Sequence, residues 1–335
     1  MKLRGAACVA AALALVAGAP ALAQDAKPKP ERAPGVEAER IGELMVGDRA
    51  PELAIGTWVK GEPVTGFEEG KVYVVECWAT WCGPCIAGMP HLSELQKEYK
   101  DKGVTIIGVN IWDDPANVEP FMEKRGGDEK MEYTVAVEEK IEGEEIEQGR
   151  IAKEWMAAAG RNGIPSAFIV DQKGYVAWIG HPGSMDHALE QVVAGKWDLA
   201  KAADAYVAEQ KMEAKFEKLQ ELIGGGEYDQ AAKLAEELVS GPAWESAMAL
   251  NGIAWPFVDP DMDVENRHTD LAIKAAERAA ELTDHEDPAI LDTLAWAYYH
   301  AGQKEKAIET ETKAVSLAPS SQKEMYEAAL ERMKE

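Results

Sequence analysis

The sequence predicts an α/β sandwich, a central mixed sheet flanked by helices, followed by an all-helical region. Strand-like apolar runs alternate with helix-spaced segments over residues 43–198, and one tight turn sits between two apolar runs. No convincing strand follows residue 200, where Ala, Glu, Lys and Leu dominate. At 335 residues and 46% hydrophobic composition, the chain can fill a core in two domains of ordinary size.

Residues 1–23 have the anatomy of a secretory signal: basic Lys2 and Arg4, an apolar stretch, then Ala21-Leu22-Ala23 as an A-x-A cleavage site. The apolar stretch is short for a membrane anchor, which needs about 20 residues. A periplasmic or otherwise exported protein cleaved after Ala23 is expected. The following residues, 24–42, carry three prolines and many charges, and read as a flexible linker.

The run Val72, Tyr73, Val74, Val75 reads as a buried strand, and Ile86, Met89, Leu92, Leu95 and Tyr99 have mostly helical spacing. Residues 104–110 form a second buried strand, 117–124 a short helix and 133–137 a further short strand. The acidic segment 138–148 looks like a solvated loop or helix start, and 151–159 a helix ending at Gly160. Runs 166–170 and 175–179 flank Asp171-Gln172-Lys173-Gly174, a strong hairpin signal. A helix over 187–193 closes the unit.

Residues 199–335 should be helical throughout. Three segments resemble one another, and aligning Ala231, Ala272 and Ala307 separates them by 41 and 35 residues, periods that helix-pair repeats have. With Pro288 as first position, Leu291, Leu294, Ala295, Tyr298, Gly302, Ala307, Ala314 and Pro319 resemble the tetratricopeptide repeat pattern. Glu311 stands at that pattern's aromatic position and is expected to weaken the packing of this copy. The middle copy's first helix should be interrupted at Pro256 and Pro260.

Chemistry concentrates in Trp81-Cys82-Gly83-Pro84-Cys85, two thiols placed at a strand-to-helix junction. Near a helix N-terminus the backbone N–H groups favour a thiolate, and CxxC cysteines can fall from a pKa of about 8.5 to about 3.5–7.5. Such a motif also forms half a zinc site, but no second CxxC or Cys/His pair completes four ligands, so no metal is expected. Cleavage of the signal leaves Cys77, Cys82 and Cys85. Cys77 ends the buried strand and reads as a small inert hydrophobe.

Three places together resemble the thioredoxin superfamily, specifically the exported TlpA/ResA type, over roughly residues 45–195. They are Glu76-Cys77-Trp78-Ala79-Thr80-Trp81-Cys82-Gly83-Pro84-Cys85, Gly163-Ile164-Pro165-Ser166, and Phe168-Ile169-Val170-Asp171 with Gly174 and Gly180. The resemblance implies a thioredoxin fold for this region, and the repeat pattern at 288–319 implies a tetratricopeptide-like domain after it. It implies that Cys82 attacks a partner's disulfide and that Cys85 resolves the mixed disulfide. Pro84 fixes the backbone between them, beside Gly83. Glu76 stands where thioredoxins carry a buried acid; its carboxyl would then take the proton from Cys85, unless strand alternation turns it to solvent. Pro165 is expected to be cis and to face the dithiol, with the Ile164 backbone pairing a substrate segment. Trp78 and Trp81 would pack around the site, Trp81 as a contact for partners.

The net charge of −25 becomes −27 once Lys2 and Arg4 are removed, which disfavours nucleic acid as a partner. His91 reads as a surface or satisfied residue, and His181 and His187 lack a third ligand for a metal. The leading expectation is an exported thiol:disulfide oxidoreductase acting on protein disulfides, with no cofactor. Gly83-Pro84 and Ile164 resemble thioredoxin, whose couple lies near about −270 mV, so a reductant fed by a membrane electron donor is favoured. The helical repeats are expected to dock a protein or peptide. A peroxiredoxin-type thiol peroxidase and a helical scaffold with an incidental redox domain are the alternatives; Val75 and Ala79 do not fit the peroxidase loop.

Overall fold

The structure, a computed structural model, describes residues 29–143, 149–264 and 266–335. The expected signal sequence, residues 1–23, and the beginning of the 24–42 segment lie outside these residues. The sheet contains β1 (Ile55–Lys60), β2 (Val72–Trp78), β3 (Val104–Asn110), β4 (Thr134–Glu138), β5 (Ser166–Val170) and β6 (Val176–Gly180), in the order β1-β4-β3-β2-β5-β6. The β2–β3 and β3–β4 pairs are parallel and the rest antiparallel, so the sheet is mixed. β2 lies near the centre and is buried along its whole length, which is why it reads as a continuous apolar run instead of an alternating one.

Strand alternation divides β2 between two core layers. Val72, Val74 and Trp78 pack on the face covered by α1 (Gly83–Tyr99), together with Met89 and Leu92. Two short helices, α2 (Val118–Lys124) and α3 (Gly127–Lys130), complete that face with α4 (Asp186–Val193), contributing Phe121 and Leu189. Tyr73, Val75 and Cys77 point to the other face, against Trp155, Phe168 and Val170. The hairpin turn between β5 and β6 is closed by Asp171 Oδ1, which accepts from the N–H groups of Lys173 at 2.8 Å and Tyr175 at 2.9 Å.

Four expectations are corrected. The described part of the presumed linker, 29–42, is not free: Ala33, Val36 and Ala38 are buried on the second face of the sheet. Its charges serve a structural purpose, because the buried Asp48 carboxylate accepts from Arg32 at 3.1 Å, Arg40 at 2.6 Å and the Met45 N–H at 2.9 Å. Second, Glu138 is the buried last residue of β4 instead of part of a solvated loop; its carboxylate accepts from the Ala152 N–H at 2.9 Å and Lys140 at 3.3 Å. Third, residues 152–159 wind as a π-helical turn, Ala152–Met156, followed by a 3-10 turn, Ala157–Ala159, with Trp155 and Met156 buried. Fourth, Pro256 does not interrupt its helix but sits inside the last turn, and the chain leaves the helix at Val258, before Pro260.

The helical region comprises α5 (Leu199–Gly224), α6 (Tyr228–Val239), α7 (Ala247–Val258), α8 (Thr269–Leu282), α9 (Pro288–His300), α10 (Lys304–Leu317) and α11 (Lys323–Lys334). Ala275, Ala276, Ala279 and Ala280 are fully buried on α8, small side chains that let neighbouring helices approach closely. α5 serves both cores. Its first half sets Ala203, Tyr206 and Val207 against the sheet layer, and its second half sets Leu219, Leu222 and Ile223 into the helical core. Tyr206 Oη donates to the Ala159 carbonyl at 3.1 Å, fixing the helix to the segment that leads into Ile164–Pro165. Between α9 and α10, Glu311 is wholly buried beside Asp292.

Candidate active site

Cys82 is the N-cap of α1, and Pro84 occupies the helix's first turn, where its missing N–H costs nothing. Cys82 and Cys85 are joined in a disulfide. The Cys85 N–H points at Cys82 Sγ at 3.2 Å, so a thiolate formed there on reduction meets a backbone donor and the positive end of the helix dipole. Across from it, the Ile164–Pro165 peptide bond is cis, and Cys82 Sγ lies 3.8 Å from the Ile164 carbonyl oxygen. Gly83 is exposed, and Trp81 is 62% exposed, its indole N–H donating to the Trp112 carbonyl at 3.1 Å.

Glu76 does not turn to solvent. It shares the face of Val74 and Trp78, the α1 side, and is only 2% exposed. Burial pushes its carboxyl up to about 8, and Oε2 has no hydrogen-bond partner in the protein. Trp78 Nε1 and the Tyr133 hydroxyl are likewise buried and unpaired within the protein, and Glu76 raises the Tyr133 hydroxyl further after burial itself. The carboxyl is therefore mostly protonated at neutral pH. It is tuned to exchange a proton near the pH at which thiols ionise.

Cys77, one residue on, faces the opposite core and is fully buried; burial and then the charges of Glu76 and Glu138 push its thiol well up. Its side chain belongs to the core layer on the far side of the sheet from the dithiol. His91 pairs with Asp186 at 2.9 Å, and His181 Nδ1 accepts from the Gly183 N–H at 3.1 Å. Among the described residues, no group of three or more His, Cys, Asp or Glu side chains is placed to hold a metal.

The structure adds Asp113, which the sequence reading missed. Its buried carboxylate accepts from the Thr80 N–H at 2.7 Å, Asn110 at 3.3 Å and Asn117 at 2.9 Å, tying the turn before Trp81 to the end of β3. Burial alone would raise its carboxyl, but hydrogen bonds from Asn117, Thr80 and Asn110 outweigh that and hold it below the ordinary aspartate range. The signal available in the sequence was Asn110 followed by Asp113, polar residues at the end of an apolar strand.

The Redoxin family profile matches residues 45–193, from just before β1 through α4. This segment is similar to the Redoxin family over the whole α/β unit. Similar proteins include FixW of Rhizobium leguminosarum, 26% identical over 159 residues, covering 46% of this chain and 68% of FixW. The thiol-disulfide oxidoreductase ResA of Geobacillus thermodenitrificans is 28% identical over 133 residues, covering 40% of this chain and 67% of ResA. A crystal structure of a putative thiol:disulfide interchange protein DsbE from Chlorobium tepidum is 27% identical, covering 46% of this chain and 99% of that one, with a TM-score of 0.36. Residues 45–193 have the thioredoxin-like fold and, with a CxxC disulfide at the head of α1, form a thiol–disulfide oxidoreductase. Helices α5–α11 lie beyond the matched segment.

Proposed function

We propose that the chain is an exported protein-disulfide reductase whose helical region docks a partner. The observation that carries this reading is the Cys82–Cys85 disulfide, capping α1, with Cys82 Sγ 3.8 Å from the carbonyl oxygen of Ile164, whose bond to Pro165 is cis. In the reduced protein, the Cys82 thiolate attacks one sulfur of a substrate disulfide. The substrate S–S bond breaks, a mixed disulfide forms, and one substrate thiolate leaves. The ionised fraction of Glu76 takes the Cys85 proton, and the Cys85 thiolate attacks Cys82 Sγ, closing the internal disulfide and releasing the second substrate thiolate, which takes a proton from solvent. Two electrons have passed to the substrate, and a dithiol donor must return them.

Trp81 and the Ile164 backbone supply the substrate-binding edge, one as an exposed aromatic face and the other as a carbonyl group next to the sulfur. Support for a tetratricopeptide-like array comes from Leu291, Leu294, Ala295, Tyr298, Ala307 and Ala314, all buried, and from Gly302 at φ 74° between α9 and α10. Such arrays bind peptides and proteins, which is the basis for assigning partner docking here.

The test is a Cys85→Ser variant, which cannot resolve the mixed disulfide. Incubated reduced with periplasmic extract, it should accumulate covalent complexes on Cys82 that a thiol reductant releases. If no complex forms, the reductase reading fails. Peroxide consumption without a disulfide substrate would favour the peroxidase alternative. Export is tested by the N-terminus of the protein recovered outside the cytoplasm, expected at Gln24.

A further inference from the structure

A groove of about 240 Å³ runs between the cis-proline loop and α5. One wall is 160–165, including the Ile164 and Pro165 that flank Cys82; the other is Gln210, Glu213, Ala214 and Glu217. The α5 positions follow i, i+3, i+4, i+7, so they form one stripe of the helix. Glu213 and Glu217 are exposed, and Gln210 Nε2 donates to Glu213 Oε2 at 3.1 Å, orienting that carboxylate. Ala214 between them has only a methyl group, which keeps the groove open. The lysines of this stretch are engaged elsewhere: Lys211 pairs with Glu39, and Lys215 with Glu237 at 2.9 Å. Among the described residues, Arg161 is the one cationic side chain lining the groove, against two carboxylates.

We propose that α5 is the second wall of the substrate cleft and that Glu213 and Glu217 select a lysine- or arginine-bearing segment next to the substrate's disulfide. The argument is continuity and charge. A segment pairing with Ile164 while its sulfur reaches Cys82, 3.8 Å from the Ile164 carbonyl oxygen, must continue along the groove that Ile164 and Pro165 line. There it meets the acidic stripe, and an overall charge of −25 reinforces the attraction at longer range. α5 lies outside the Redoxin match, so this selectivity belongs to the fusion of the two regions. Tyr206, bonded to the Ala159 carbonyl, holds the helix at the right distance.

The inference rests on the proposed reductase activity, and the experiment separates the two. The full chain, kept reduced with dithiothreitol, is given two peptides that each carry one internal disulfide, flanked by lysines in one and by glutamates in the other. At low salt the lysine peptide should react about tenfold faster, with the preference shrinking as salt rises. Glu213→Gln/Glu217→Gln should bring the ratio close to one, and Glu213→Lys/Glu217→Lys should invert it. The rate with uncharged hydroxyethyl disulfide should stay unchanged in both variants, which shows that the dithiol and the fold are intact. An unaltered peptide preference in the variants overturns the acidic wall. Failure of the parent chain to reduce either peptide faster than dithiothreitol alone overturns the reductase reading instead.

Discussion

Glu76 stands in register with Gly108 across the β2–β3 pair, and the place a Gly108 Cβ would occupy is taken by the Tyr133 ring, at 2.8 Å, and Trp78 Nε1, at 3.3 Å. The missing side chain on β3 is what lets these groups gather on the α1 face, next to a buried carboxyl. Three polar atoms without protein partners, Glu76 Oε2, Trp78 Nε1 and Tyr133 Oη, thus sit on the dithiol's side of the sheet. Burying them costs stability, which is the pattern of a site that keeps a proton instead of a salt bridge.

The first prediction concerns that proton. Below pH 4.5 Glu76 is neutral in both the folded and the unfolded chain; between 4.5 and about 8 the unfolded chain releases the proton while the folded chain holds it. Stability therefore falls as pH rises through this window and levels off above it. Glu76→Gln should remove this slope, so that its advantage over the parent grows by about 4–5 kcal/mol between pH 4.5 and pH 8. Urea midpoints across the window check it, and a gain independent of pH would count against the assignment. The same variant should slow the Cys85 resolution step and remove a titration near pH 8 from its rate profile.

Asp113 makes the opposite prediction. Asp113→Ala leaves the Thr80 N–H and the Asn110 and Asn117 amides without their acceptor, at a cost of about 1–3 kcal/mol. Because its carboxyl is held below 3.8, its contribution is present above that value and fades as pH falls through the lower, folded one. The stability difference from the parent should therefore be flat at neutral pH and shrink in acid. Hydrogen exchange should localise the loss to residues 79–82.

How much of this was legible in the sequence depended on the range of the interactions. β2, β3 and the β5–β6 hairpin carry their own apolar runs and turn residues, and Cys82 at the head of α1 follows from strand-then-helix spacing alone. β1 was missed because Ile55–Lys60 is a half-exposed edge strand that contains Gly56 and pairs with β4 through two register shifts. The packed segment 29–42 was missed because Arg32 and Arg40 look solvated until the buried Asp48 that pairs them is placed. Asp113, just after β3, and Tyr133, just before β4, reach the site only through the pairing of these strands with β2 in one sheet. The side on which Glu76 points became clear once Val74 and Trp78 were seen to face α1.

Trp81 presents the largest exposed aromatic surface of the site, fixed by its bond to the Trp112 carbonyl. Trp81→Ala should lower kcat/KM for a protein disulfide about tenfold or more, since buried aromatic anchors dominate binding at protein contacts. The reduction potential and the rate with hydroxyethyl disulfide should change far less. Equal losses on protein and small-molecule substrates would mean that Trp81 supports the dithiol itself and not the partner.

Cys77 should stay silent in every redox assay. Under native reducing conditions an alkylating agent should modify Cys82, whose thiolate the head of α1 favours, and leave Cys77 unlabelled until denaturant is added, because its thiol is fully buried and its ionisation is suppressed. Cys77→Ala should cost about 1 kcal/mol and leave disulfide reduction intact. Labelling in the native state, or lost activity in the variant, would give this cysteine a role in the cycle.

The helical region carries its own titration. Burial first, and then the neighbouring Asp292 carboxyl, push Glu311 well above the carboxylate range; burial raises Asp292 as well. Two carboxyls wedged between α9 and α10 cannot both ionise cheaply, so the pair keeps a proton at neutral pH. Both groups are raised, so the unfolded chain loses protons before the folded one, and the packing of α9 on α10 weakens as pH climbs into the alkaline range. Glu311→Leu replaces the buried acid with a side chain suited to its apolar neighbours Ala307 and Ala314. It should stabilise the region by about 1–3 kcal/mol and reduce its loss of stability at alkaline pH. Hydrogen exchange of the α9 and α10 amides at pH 7 and 9 reads both effects. Faster exchange in the variant at pH 7 would show that the acid contributes to packing there, and the region would then have a use for Glu311 beyond filling space.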